Sequence, residues 1–341
     1  MLPDGRRLGA HLPLATGMLK AVDRARDIGA NALQIFTDNP TAWKRRAEPP
    51  RELDAFRERT HELDIRPISV HASYLVNLAG SNAESYERSI VMLAHELRQA
   101  PMFGARYVNV HIGSHLGLGV AAGIERLGEG IRRTIRAVDE EAGAPAEAAG
   151  AAEAVARADV DVTAGPATPT MLVLENSAGS GGGLGTSVEE LASIAGRIAA
   201  LGIPDDRVGF CIDTAHAWGA GIDLASPSAI DDFIGAFDDR IGLGRLVLVH
   251  LNDSRSDRGS RTDRHEHLGA GQIGPEGLAH VLRHPRLAHA TYLLETPGMD
   301  VGYDAINLAR ARDLVADRPL GPLPPEAFKL RGSSTTRTAP A

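Results

Sequence analysis

Short runs rich in β-branched and other apolar residues alternate along the chain with longer stretches whose apolar positions recur at helical spacing. The runs are Leu8 to His11, Ala32 to Phe36, Ile68 to His71, Tyr107 to His111, Met171 to Glu175, Val208 to Asp213, Leu246 to His250 and Tyr292 to Glu295. Between them, sets such as Leu19, Val22, Ala25 and Ile28, or Ile90, Leu93 and Leu97, mark one helix face, with charges filling the others. Repeated strand–helix units imply a parallel sheet, and eight of them favour closure into a barrel over an open sheet. No Gly-x-Gly-x-x-Gly turn follows the first run, which argues against a dinucleotide-binding sheet. The pattern predicts an α/β protein, a (β/α)8 TIM barrel forming a single domain over residues 1–317.

Two segments break the alternation. Residues 140–170 are dominated by Ala and Gly with scattered Pro and acids, and read as a flexible insertion between strands 4 and 5. Residues 318–341 carry little apolar material and read as a disordered C-terminal tail.

Composition changes the picture only a little. The chain has 341 residues and is 43% apolar, without any run near the ~20 apolar residues of a membrane span, so no membrane association is expected. Cys211 is the single cysteine, which excludes an intrachain disulfide, and the N-terminus lacks the apolar stretch of a secretory signal. Both fit a cytoplasmic location. A net charge of -8 counts against a non-specific nucleic-acid binder, which would neutralise phosphates with clustered Lys and Arg. Carboxylates that ligate cations would reverse that sign locally.

The candidate chemistry lies at the ends of the apolar runs. Six of the eight end in a residue singled out as a candidate metal ligand: His71, His111, Glu175, Asp213, His250 and Glu295. In a TIM barrel the C-terminal strand ends converge on one opening, so these residues are expected to meet. His216 lies three residues after Asp213, one turn on if a helix begins there. Asp263 and His265 alternate along RTDRHEH and would face the same way in an extended loop. Nine nitrogen and oxygen donors exceed what one ion uses, and imidazole with carboxylate suits Zn or Mn, which points to two or three metals. Two ions ~3.5 to 4 Å apart would make hydroxide near neutral pH and stabilise the entering and leaving oxygens at phosphorus, the chemistry of phosphoester hydrolysis. Arg255, Arg258, Arg261 and Arg264 in the adjacent loop offer guanidinium forks to phosphate. The remaining histidines, at positions 11, 61, 95, 115, 267, 280, 284 and 289, are assigned structural roles.

On these residues the chain resembles endonuclease IV, the deoxyribonuclease IV family of apurinic/apyrimidinic endonucleases. The resemblance rests on VHASYLVNLA, NVHIGSH, LENSAGSGGGLG, CIDTAHAWGAG, HLNDSRSDRGSRTDRHEHLGAGQIG and LLETPG, in that order along nearly the whole chain. It implies three zinc ions: His71, His111 and Glu175 at the first, Glu175 shared with Asp213, His250 and Glu295 at the second, and His216, Asp263 and His265 at the third. It also implies a catalytic role for Glu175 and Glu295, and hydrolysis of double-stranded DNA 5′ to an abasic site by a metal-bridging hydroxide. The implied protein is a monomer whose DNA contacts include Trp43, Tyr74, Asn77 and Arg264. One stretch departs from the family pattern. FTDNPTAWKRR places Thr41 and Ala42 where relatives carry Arg and Gln before the tryptophan, and Lys44, Arg45 and Arg46 follow as candidate phosphate contacts. Rival readings are a sugar isomerase or epimerase of the xylose-isomerase-like barrel type, against which the third ligand group argues, and a metal-bound DNA-binding module without activity.

Overall fold

The computed structural model describes residues 2, 4–46, 48–143 and 169–329. Eight parallel strands close a barrel: β1 Leu8–His11, β2 Ala32–Ile35, β3 Ile68–His71, β4 Ala105–His111, β5 Met171–Glu175, β6 Val208–Asp213, β7 Leu246–His250 and, after a two-stranded hairpin, β10 Thr291–Leu294. Closure is made where β1 pairs with β10, Leu8 opposite Tyr292, and with β2, Gly9 opposite Ala32. The hairpin joins β8 Asp253–Ser254 to β9 His265–Glu266 in antiparallel register. Between the strands run α1 Met18–Asp27, α2 Leu53–Glu62, α3 Ala83–Gln99, α4 Val120–Gly143, α5 Val188–Ala200, α6 Thr214–Ala220, α7 Pro227–Arg240, α8 Gly274–Arg283 and α9 Tyr303–Val315.

Period-two alternation decides which residues reach the barrel axis. Val173, Cys211, Leu248, Leu293 and Ala32 pack together inside the barrel. Two residues further along the same strands stand Glu175, Asp213, His250, Glu295 and Gln34. The apolar layer is therefore the floor on which a polar layer rests. Residues of the opposite parity, such as Leu172, Leu174, Phe210, Ile212, Val249 and Leu294, join the helix-facing core with Leu127, Ile131, Leu191, Ile198 and Phe237.

The predicted strands match the observed ones to within two residues. The two-residue strands of the hairpin fall below what periodicity can register. Of the insertion at 140–170, residues 140–143 belong to α4 and 144–168 lie outside the described residues. The expected tail is shorter than 318–341. Ala327 is fully buried and its carbonyl lies 3.2 Å from His267 Nε2, while the Arg310 guanidinium donates to the Gly321 carbonyl. Backbone contacts made by a few residues hold 318–329 on the barrel, a kind of anchorage that apolar content does not register; residues 330–341 lie outside the described set. Among the described residues, no helix is long and apolar enough to cross a membrane.

Candidate metal centre

His71, His111, Glu175, Asp213 and His250 are the last residues of β3 to β7 in order, and Glu295 follows β10 directly. Neighbouring strands set His111 opposite Glu175 and Asp213 opposite His250. Asp213 serves two elements at once. Its Oδ1 caps α6 by accepting the His216 backbone N–H at 2.8 Å, and this first turn swings His216 to the opening. The hairpin brings His265 to the same place, with Asp263 two residues before it.

Donor atoms fall into three overlapping groups, each within 4.8 Å: His71, His111 and Glu175; Glu175, Asp213, His250 and Glu295; Asp213, His216 and His265. Asp263 closes the last group, its oxygens lying 3.3 Å from His216 Nε2 and 3.1 Å from His265 Nε2. Glu175 is the common member of the first two groups and Asp213 of the last two. All nine strand-end and loop residues singled out in the sequence are thus brought together.

Four histidines have one ring nitrogen committed to an oxygen and present the other to carboxylates. His71 Nδ1 lies 2.7 Å from the Ala72 carbonyl, His216 Nδ1 3.0 Å from that of Asn176, His265 Nδ1 2.8 Å from that of Glu295, and His250 Nε2 3.1 Å from Gln34 Oε1. An oxygen acceptor fixes the proton on the nitrogen beside it and leaves the opposite lone pair for a metal. Buried Glu175 Oε1, His250 Nδ1 and His265 Nε2 lie close to other members of the donor set but make no hydrogen bond of good geometry. Unpaired polar atoms in a protein interior are costly, and here they converge at the distances of a shared ligand shell. The donor set fits divalent ions of the zinc or manganese type.

Electrostatics agrees. Burial pulls the imidazoles of His216, His250 and His265 down, yet neighbouring groups outweigh it and hold them well above the usual histidine range; Asp213 and Asp263 act on the first and third, and Cys211, then Glu295 and Glu175, on the second. Burial pushes Glu175 up, but His250 and His111 bring it well below the carboxylate range. At the rim, burial keeps His111 below its usual value. The pocket as a whole demands positive charge.

Several groups here escaped the sequence reading. Three amides grip the carboxylates: Gln34 Nε2 donates to Glu295 Oε1 at 2.6 Å, Asn109 Nδ2 to Glu175 Oε2 at 2.5 Å and Asn252 Nδ2 to Asp213 Oδ2 at 2.6 Å. Their signal was positional, since Asn109 stands two residues before His111 and Asn252 two after His250. His11, assigned a structural role, ends β1 inside the polar layer, and its Nδ1 lies 3.0 Å from Glu295 Oε1.

The expected DNA contacts divide. Tyr74 is 40% exposed, with its ring centroid 5.8 Å from His111 and 5.6 Å from His71. Arg264 and Arg261 are exposed and Arg255 is half-buried, and none of their side chains makes an ion pair among the described residues, whereas Arg258 binds Asp223. Asn77 is turned inward instead: its amide donates to the Ser114 carbonyl and accepts from the Ala79 and Ser114 backbone. Trp43 is half-buried on the core beneath the Arg88 guanidinium, 4.4 Å from its ring centroid. Arg45 and Arg46 are likewise spent, the first on the carbonyls of Asn39 and Ala42, the second on Asp38 and the Thr37 carbonyl.

Comparison with known proteins sets this geometry in context. A family model described as xylose isomerase-like TIM barrel matches residues 22–318. A "Probable endonuclease 4" of Methanoculleus marisnigri is 39% identical over 307 residues, covering 90% of this chain and 98% of that protein. One from Halothermothrix orenii is 36% identical over 309 residues, with 89% and 99% covered. The crystal structure of endonuclease IV from Thermus thermophilus superposes with a TM-score of 0.72 at 35% identity, covering 91% of this chain and 99% of that one. A D-tagatose 3-epimerase-like protein, at 17% identity and a TM-score of 0.61, shares the fold.

Proposed function

We propose, from the premise that this chain belongs to the endonuclease IV family of xylose isomerase-like TIM barrels, that it is a metal-dependent endonuclease hydrolysing double-stranded DNA 5′ to an abasic site. The observation that carries the reading is the sharing of Glu175 and Asp213 between donor groups, because a continuous chain of three such groups suits a phosphodiester.

In this reading His71, His111 and Glu175 hold one ion, Glu175, Asp213, His250 and Glu295 a second, and His216, Asp263 and His265 a third, with Asp213 at the boundary. Zinc suits all three. When bound, such ions supply Lewis acidity, lowering the pKa of water and neutralising charge on the phosphate. The protein supplies position. The mouth lies among Tyr74, His111, at 38% exposure, and Asp263, at 53%. Through it the backbone would enter, its phosphates oriented by Arg255, Arg261 and Arg264 with Tyr74 against the opened strand. Glu175 and Glu295 fix the floor against which the attacking water is aligned. Water oxygen bonds to phosphorus, the bond from phosphorus to the 3′ oxygen breaks, and a proton passes to that oxygen, leaving a 3′-hydroxyl and a 5′-phosphate.

The test is a duplex with a single abasic analogue, incubated with protein whose bound metal has been measured. A single nick 5′ to the lesion is expected. Intact strands with metal confirmed would remove the reading, and a count of about one ion per chain would favour sugar isomerase or epimerase chemistry instead.

A further inference from the structure

The sequence contains a second pair of histidines one helical turn apart, His280 in α8 and His284 immediately after it, for both of which the sequence suggests only structural roles. Residues four apart lie on the same face of a helix. Their rings meet edge to face with centroids 5.6 Å apart. Opposite them, on α7, stands Asp231, whose Oδ1 lies 2.6 Å from His280 Nε2 and 3.3 Å from His284 Nε2. The three donor atoms lie within 4.8 Å of one another. None belongs to a strand end, and no residue is shared with the barrel mouth.

We infer that Asp231, His280 and His284 form a separate divalent-cation site on the outer helical ring, clamping α7 to α8 and taking zinc or a similar borderline ion. Both imidazoles present the same nitrogen, so one ion meets two equivalent lone pairs and a carboxylate, the three-ligand arrangement that leaves a further position for water. Tetrahedral bonds of ~2.0 to 2.1 Å place neighbouring donors about 3.3 Å apart. The Asp231 to His284 distance already has that value. The shorter one to His280 has room to open, because Asp231 is 56% exposed while His284 is only 8% exposed and fixed in the packing. The neighbouring arginines are engaged elsewhere, Arg283 with the Ala279 carbonyl and Asp317 and Arg286 with Asp238, so neither is paired with the Asp231 carboxylate.

The experiment compares the full chain, its barrel metals loaded, with Asp231→Asn and His280→Ala after equilibration in micromolar zinc. Wild type is expected to hold one zinc more than either variant, and anomalous scattering at the zinc edge should show a peak between the two helices. Nicking of an abasic duplex should be equal in all three proteins, so failure of the outer site is distinguishable from failure at the mouth. Equal zinc content in wild type and both variants would overturn the inference, as would a difference that emerges only at millimolar zinc.

Discussion

Among single residues, the amides that grip the carboxylates carry the most weight per atom. Gln34 donates to Glu295 and accepts from His250, so one side chain sets the orientation of two proposed ligands. Outer groups of this kind alter metal affinity by roughly 10- to 100-fold. Gln34→Ala is expected to weaken binding within that range in a chelator competition; unchanged affinity would make the amide a bystander. A different residue sets a pH dependence. Burial lifts the Glu96 carboxyl above its ordinary value, against the pull of a 2.7 Å hydrogen bond from Thr37. Between about pH 4.3 and the raised value, the native state binds more protons than the unfolded chain, so stability falls as pH rises through that window. Glu96→Gln should therefore raise the unfolding temperature at neutral pH and match wild type in acid. A gain of the same size at both would trace the effect to packing.

At the scale of elements, α6 shows how closely folding and ligation are joined. Asp213 caps the helix with Oδ1 and turns Oδ2 to His265, 3.4 Å away. Asparagine caps as well as aspartate, whereas alanine costs about 1 kcal/mol. After chelation, both variants lose the acceptor that Oδ2 offers to Asn252, so the cap is read from the difference between them: Asp213→Ala is expected to unfold about 1 kcal/mol below Asp213→Asn, while both lose metal. Equal stabilities would show that the cap contributes nothing. The same helix shows what the sequence makes legible. Alternation fixed the parity of the strands, and parity alone sent Glu175, Asp213 and His250 inward; the turn that begins at Thr214 then placed His216. Amides and salt-bridge partners follow no such rule. Whether Arg45 meets phosphate or the carbonyls of its own loop depends on tertiary folding, and local sequence does not record it.

For the whole molecule, the net charge of -8 and a polyanionic substrate are reconciled by distribution. Acids gather at the mouth, where cations would meet them, and arginines without ion pairs stand beside it. Each phosphate neutralised by a cationic side chain adds about 0.9 to the log–log slope of affinity against salt. Arg255→Ala, Arg261→Ala and Arg264→Ala combined should flatten the slope for an abasic duplex by about 2 to 3; an unchanged slope would place the DNA elsewhere. Closure of the barrel depends on a residue with no side chain. A Cβ on Gly9 would lie 2.0 Å from the Ala32 carbonyl oxygen, so Gly9→Ala forces β1 and β2 apart and should cost about 1 to 3 kcal/mol in a denaturant titration.

Four of the five histidines of the mouth, His71, His216, His250 and His265, are fastened at their far nitrogens to backbone carbonyls or to Gln34, and those attachments do not involve the ions. An ion held this way is an exchangeable part in a finished socket. Stripping it should leave the scaffold standing, and resupply should restore the enzyme at the speed of diffusion and dehydration, with no refolding between.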